Sequence, residues 1–196
     1  MKSFMRTLIF TLIISLFSSV MAADKTGQYS IKGIGNTSCA QFISETQSNS
    51  QSVYLYVGWI NGYLTAQNQH MLDNFDLTSW ENIHTLGDYI KNYCKAKPKH
   101  SFYIATASMV DGLYKDRLRQ ASQILTIGEA EDRIVIYEST FRRVQKKLKE
   151  LGLYSGAVDG KYGNNTANSI KLFQKKQGLV ESGVPDQRTL HAFFRK

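Results

Sequence analysis

The sequence is poor in the residues that usually build metal and cofactor sites. Of its 196 residues, two are cysteine and four are histidine, and the histidines are scattered at positions 70, 84, 100 and 191. A zinc site needs three or four histidine, cysteine or acidic ligands at suitable spacing, and no such motif is present. We therefore expect neither a metal nor a cofactor.

Motifs for nucleophilic catalysis are also absent. The sequence has no Gly-x-Ser-x-Gly turn, which would expose a serine nucleophile, and no serine is followed three residues later by lysine. No Ser-His-Gly stretch precedes either cysteine. These absences predict a protein without catalytic residues.

The first 22 residues have the pattern of a cleaved secretory signal. Lys2 and Arg6 precede a largely apolar run at 7–20, and small residues follow it. A spanning helix needs about 20 apolar residues, and this run is shorter and contains serines, although a membrane anchor is the alternative. We expect export to the periplasm, or alternatively to the medium, with no membrane attachment after cleavage.

Charge divides the remaining chain into two parts. Residues 139–196 carry 12 basic and 4 acidic side chains, whereas residues 23–138 carry 10 and 12. A step of this kind favours two units with different partners. A basic unit can bind nucleic acid, but export removes that partner, so none is expected.

Two cysteines, Cys39 and Cys94, remain in the exported chain. In an oxidising compartment an isolated pair most often forms a disulfide. Closing a loop of this size would stabilise the fold by about 4 kcal/mol in the chain-entropy model. A cysteine nucleophile is the alternative.

Apolar residues recur at helical spacing through residues 36–115, which predicts a helical domain. Thr37 or Ser38 can cap a first helix, and Ser101 can cap the last one. The two cysteines would tie the first helix to the third. Residues 116–138 are predicted to connect this domain to the basic part, with a short strand or a helix start near their end.

Two details of the helical domain are specific enough to test. Gly58 and Gly62 lie on one ridge of a helix, where each glycine costs about 1 kcal/mol relative to alanine, so we expect another backbone to pack closely there. The alternative is a binding groove. The following helix is predicted to be capped by Thr78 or Ser79 and to carry Trp80 on its buried stripe.

The basic part contains an ordered series of short motifs. It reads VQKKL at 144–148, DGKYGNNT at 159–166, FQ at 173–174, GL at 178–179 and TL at 189–190. This series resembles the peptidoglycan-binding module found on many cell-wall enzymes. The resemblance implies a three-helix module over residues 139–196 and the bacterial cell wall as its partner. No internal repeat is apparent.

The same resemblance places a ligand groove beside the Asp-Gly loop and the second helix of the module. It implies five contact residues: Asp159, Lys161, Tyr162, Thr166 and Gln174. Tyr162 is suited to stack on a sugar ring or a peptide stem, Lys161 to meet a carboxylate and Gln174 to hydrogen-bond an amide. A purely structural role is the alternative for each.

The N-terminal domain resembles a group of small exported helical proteins. The shared features are an early cysteine, the Trp-Ile-x-Gly-Tyr segment at 59–63 and Tyr93-Cys94 before Pro98. The group includes acid-stress chaperones of the periplasm and immunity proteins against secreted cell-wall toxins. The resemblance implies a protein partner for this domain.

These observations together predict an all-α, two-domain protein in which a disulfide-linked bundle is anchored to peptidoglycan without catalysis. One alternative is an immunity or inhibitor protein against a wall-directed toxin. Another is a wall hydrolase, because the pair Glu138-Ser139 resembles the acid/base centre of lytic transglycosylases. Glu138 also fits a first-turn acid that favours the helix dipole.

Overall fold

The computed structural model describes residues 23–48, 51–129 and 132–195. The predicted signal segment, residues 1–22, lies outside these residues. The described residues divide into two units, one at 23–31 and one that begins at residue 32. In the first unit, the Asp24 carboxylate accepts hydrogen bonds from the backbone amides of Thr26 and Gln28.

The second unit is largely helical, which confirms the predicted fold class. Its described residues form seven α-helices and one two-stranded antiparallel sheet. The elements in chain order are α1 (Cys39–Gln47), α2 (Val53–His70), α3 (Ile83–Ala96), α4 (Phe102–Leu113), β1 (Ile124–Ile127), β2 (Ile134–Tyr137), α5 (Glu138–Glu150), α6 (Asn164–Lys176) and α7 (Gln187–Phe194). No helix among the described residues has the length and apolar character needed to cross a membrane.

Helices α1 to α4 pack around one apolar core that contains the disulfide. Cys39 in α1 is bonded to Cys94 in α3, as predicted, and both cysteines are fully buried. The side chains of Ser38 and Ser101 cap α1 and α4 by accepting hydrogen bonds from backbone amides three residues on. These two predicted caps are confirmed.

A second core forms from the hairpin, α5, α6 and α7. Strands β1 and β2 pair in the register Ile124 to Tyr137, and each strand contributes one buried residue, Ile127 and Ile136, to this core. The segment at 116–138 therefore does more than connect, because its hairpin packs with the C-terminal helices. The exact domain boundaries stay a prediction.

Trp80 shows that the sequence-based interpretation of the third helix was wrong. The helix begins at Ile83, and its cap is Asn82, whose side chain accepts a hydrogen bond from the amide of Thr85. Neither Thr78 nor Ser79 caps it. Trp80 precedes the helix and is buried in the second core.

The expected close packing at the α2 glycine ridge was also wrong. A Cβ atom added to Gly58 or Gly62 would meet nothing within 4 Å. Both glycines face outward, as do Tyr54 and Leu55 on the same helix. The ridge is an open surface with no backbone against it among the described residues.

A short segment at 79–82 joins the two cores. The backbone carbonyl of Ser79 accepts a hydrogen bond of 2.8 Å from Thr140, and that of Trp80 accepts one of 2.7 Å from Gln187. Beside them, Arg195 donates to the carboxylates of Glu81 and Asp116. Glu81 is almost completely buried, with 1% of its side chain exposed.

Candidate functional site

The Asp-Gly loop lies between α5 and α6, and a buried glutamine of α5 fixes its shape. Gln145 accepts a hydrogen bond from the Gly160 amide at 2.8 Å. Its side-chain amide donates to the Asp159 carboxylate at 3.0 Å and to the Lys161 carbonyl at 3.1 Å. Because Gln145 is fully buried, these contacts hold the loop against the core.

Gly160 has a φ of +74°, in the left-handed region that favours glycine. A Cβ atom at this position would also lie 2.6 Å from Cγ of Glu138. The glycine is therefore required by backbone conformation and by space. It turns the chain so that residues 161–165 face solvent.

Asp159 helps to fold the loop. Its carboxylate accepts the bond from Gln145 and another of 2.9 Å from the amide of Lys161. These hydrogen bonds, the one from Gln145 foremost, hold the pKa of Asp159 below its usual value. The side chain is thus ionised at neutral pH, and its hydrogen bonds stabilise the turn.

Tyr162 bridges the loop to the chain after α6. Its hydroxyl donates to the Gly183 carbonyl at 3.1 Å, and its ring packs edge-on against Phe141. Burial raises the pKa of Tyr162, so the hydroxyl stays protonated as a donor. About a third of the side chain, 37%, is still exposed, which leaves part of the ring open to a ligand.

Four of the five predicted contact residues line one pocket of about 320 Å³, which we call the loop pocket. They are Asp159, Lys161, Tyr162 and Thr166. The remaining lining residues, which the sequence-based reasoning did not select for ligand contact, are Tyr154, Gly163, Asn164 and Asn165.

The fifth predicted residue, Gln174, is buried away from this pocket. It accepts a hydrogen bond from the Gly183 amide at 2.9 Å and donates to the carbonyl of Val184 and the hydroxyl of Thr189. Its side chain has no exposed surface. We therefore assign Gln174 to the fold and correct the expected ligand contact, because the amide is already bonded within the chain.

The start of α6 gives the loop pocket a positive character. Gly163 occupies the N-cap position and supplies no side-chain cap. Asn164 is already helical and lies in the pocket lining. Uncapped amides at a helix N-terminus favour anions, and Lys161 adds a full positive charge.

Thr166 and Tyr154 close one side of the pocket. Thr166 is 2% exposed, and its hydroxyl lies 3.4 Å from that of Tyr154. The Tyr154 hydroxyl donates to the Ala157 carbonyl at 2.9 Å. The sequence motifs did not indicate Tyr154. Its place in the pocket lining depends on a loop that returns across the start of α6.

The described residues contain no group of three or more histidine, cysteine or acidic side chains that could hold a metal ion. Glu138, the residue of the hydrolase alternative, lies at the start of α5. Its carboxylate accepts hydrogen bonds of 2.9 and 2.6 Å from the Arg142 guanidinium.

Comparison with known families matches both parts of the chain. Residues 138–193 match the peptidoglycan binding domain family, and residues 6–103, half of the chain, match the HdeA/HdeB family. Both matches agree with the resemblances seen in the sequence.

Two individual proteins are similar over shorter stretches. The N-acetylmuramoyl-L-alanine amidase CwlM of Mycobacterium tuberculosis (strain ATCC 25618 / H37Rv) is 32% identical over 59 residues, which are 30% of this chain and 14% of the amidase. The crystal structure of SltB3 from Pseudomonas aeruginosa, in complex with NAG-anhNAM-pentapeptide, is 24% identical with a TM-score of 0.30. That match covers 55% of this chain and 27% of SltB3. The chain thus spans only a minor part of either protein.

Proposed function

The chain belongs to the HdeA/HdeB family, and from this membership and its peptidoglycan-binding domain we propose an exported, non-catalytic protein that holds a helical bundle at the cell wall. The loop pocket would bind peptidoglycan, and the periplasm would be the site of action. The observation that carries this proposal is the convergence of Asp159, Lys161, Tyr162 and Thr166 on one pocket within the matched domain.

The chemistry of the loop pocket suits a wall peptide or a glycan that carries carboxylates. Lys161 and the uncapped amides of α6 attract negative charge. Asn164 and Asn165 offer amide donors and acceptors. The partly exposed ring of Tyr162 provides an apolar surface for a sugar ring or a peptide stem.

Co-sedimentation of the mature protein with purified sacculi tests this proposal. Lys161→Ala is expected to reduce the bound fraction, because it removes the one full positive charge of the pocket lining. Lys176→Ala is the matched control, since it removes the same charge from an exposed position at the far end of α6. Failure of the wild type to sediment, or equal losses in both variants, would contradict the proposal.

The absence of catalysis is a part of the proposal that needs its own test. The Glu138 carboxylate already accepts two hydrogen bonds from the Arg142 guanidinium, whereas a general acid must be placed to donate a proton to the leaving oxygen. Incubation of the protein with sacculi should release no muropeptides. Release that is abolished by Glu138→Gln would establish the hydrolase alternative.

The helical bundle would contact a second protein at the wall. Support comes from the open face of α2, where Tyr54 and Leu55 are 78% and 63% exposed beside the glycine ridge. Site-specific photo-crosslinking from position 55 in cells should capture one defined protein. The same crosslinker at Lys95, on the exposed end of α3, serves as the control, and identical product patterns would contradict this assignment.

A further inference from the structure

A second cavity lies between the helical bundle and the C-terminal module, away from the Asp-Gly loop. Its volume is about 550 Å³. Helix α3 lines it with His84, Asp88 and Asn92, and α7 lines it with Arg188 and His191. Small-ligand sites have volumes of roughly 300–1,000 Å³ and often form at junctions between domains. We call this cavity the junction groove.

Gln187 fixes the spacing between the two walls of the junction groove. Its side-chain oxygen accepts hydrogen bonds of 3.1 Å from the Asn82 amide and 2.9 Å from the Thr85 hydroxyl. Its side-chain nitrogen donates to the Trp80 carbonyl at 2.7 Å. Because one side chain of α7 holds three groups at the start of α3, the groove is formed before any ligand arrives.

The two walls carry opposite charges that are not used within the described structure. Asp88 belongs to α3 and Arg188 to α7, and both are exposed. Neither side chain takes part in any ion pair found among the described residues. Near the junction, Glu81 and Arg195 are by contrast already paired with each other.

We propose that the junction groove binds a short peptide that carries both a free carboxylate and a free amine. Arg188 would bind the carboxylate and Asp88 the amine, since charge-assisted hydrogen bonds of this kind are the strong ones. Asp88 would repel a ligand that carries only negative charge, and Arg188 would repel a ligand that carries only positive charge. The side-chain amide of Asn92 adds a donor and an acceptor for the peptide backbone.

The source of this peptide is inferred from the proposed function, on which the inference rests at this step. An uncrosslinked stem peptide of the wall, in which the third residue is diaminopimelate, keeps a free amine and free carboxylates. The loop pocket and the junction groove would then contact the same polymer at two places. Two linked contacts retain a protein on a polymer far longer than either contact alone.

Calorimetric titration of the mature protein with the soluble stem tetrapeptide, L-alanyl-D-glutamyl-diaminopimelyl-D-alanine, tests the inference. Arg188→Ala and Asp88→Asn should each weaken binding at least about tenfold, because each removes a charge-assisted contact. Lys176→Ala, the control for loss of one exposed positive charge, should bind as the wild type does. Acetylation of the peptide's amines should weaken binding to the wild type, but not to the Asp88→Asn protein.

A variant of the loop pocket distinguishes a failure of this inference from a failure of the proposed function. Lys161→Ala should reduce co-sedimentation with sacculi and leave affinity for the soluble tetrapeptide unchanged. If Lys161→Ala abolishes tetrapeptide binding and Arg188→Ala does not, the peptide binds in the loop pocket and the inference is overturned while the proposed function stands. Absence of tetrapeptide binding to the wild type also overturns it, whatever the sacculus result. Thermal unfolding confirms that each exposed-site variant is folded.

Discussion

Two buried glutamines perform the same task at the two turns of the C-terminal module. Gln145 binds the amide of Gly160, and Gln174 binds the amide of Gly183. Both glycines have left-handed backbone conformations, with φ values of +74° and +79°. The matching Gln-Lys-Lys segments at 145–147 and 174–176 are therefore a short structural repeat, which the sequence analysis missed because only three residues are shared.

Substitution of each glutamine by leucine should distinguish effects on stability from effects on sacculus binding. Gln145→Leu and Gln174→Leu both leave buried backbone groups without partners, at a cost of about 1–3 kcal/mol for each group. Urea unfolding should show comparable losses of stability. Only Gln145→Leu should also reduce co-sedimentation with sacculi at temperatures where both variants are folded, since only Gln145 shapes the loop pocket. Equal binding by both variants would show that the loop geometry does not matter.

The lowered pKa of Asp159 gives the loop a dependence on pH. A carboxyl whose pKa is lower in the folded state stabilises the fold above its unfolded pKa, near 4, and loses that contribution as the pH falls through the folded value. Amide resonances of Lys161 should therefore shift on acidification below about pH 4, the unfolded pKa range of Asp. In Asp159→Asn this transition should be missing, whereas an unchanged titration in the variant would assign it to another group.

At the same scale, motif resemblance indicated which residues surround the loop but could not distinguish exposed from buried ones. Four candidates line the loop pocket and Gln174 does not. A short polar side chain at helical spacing is compatible with either position. Only the return of residues 183–184 across α6 decides that the amide of Gln174 points inward.

At the scale of single elements, local signals predicted the helix ends best. Ser38 and Ser101 cap their helices through side-chain oxygens, as their positions before an apolar helical pattern predicted. Prediction failed where periodicity alone was used. Trp80 fits the spacing of α3, yet the helix begins only at Ile83, after the extended backbone of Asn82, and Trp80 lies in a different core.

The open glycines of α2 predict an unusual gain in stability. Alanine at Gly58 or Gly62 would meet no neighbouring atom, and it should stabilise the helix by about 0.5–1 kcal/mol at each position. Urea unfolding measures this effect. Gly160→Ala is the contrasting variant, because its left-handed backbone and the nearby Glu138 should make it destabilising. Destabilisation by Gly58→Ala would mean that this surface is covered in the protein.

At the scale of the whole molecule, the step in charge predicted two units, and the described residues contain two apolar cores. The charge step gave no sign of how these cores are joined. The joint depends on single residues far apart in the sequence. Arg195 pairs with Glu81 and Asp116, and Arg143 donates to Asp116 and Ser79. No local pattern predicts contacts across such separations.

This joint should make the two cores unfold together. Calorimetry of the mature protein is expected to show one transition. Arg195→Ala should lower its midpoint strongly or split it, because removal of one partner of a buried ion pair costs about 3–5 kcal/mol. Arg119→Ala is the matched control, since Arg119 forms an exposed pair with Asp73 that is worth about 0–1 kcal/mol. Two transitions in the wild type would show that the cores are independent.

The burial of Trp80 bears on how this architecture can be reused. The C-terminal core is completed by an indole from the segment before α3, so residues 138–193 alone do not supply every side chain of that core. If residues 138–193 were fused to a reporter protein, the core of the graft would have a cavity at the position of the Trp80 indole. Grafts that receive a tryptophan-bearing peptide in trans, or that fill this cavity with a larger side chain of their own, should be more stable than the unmodified graft.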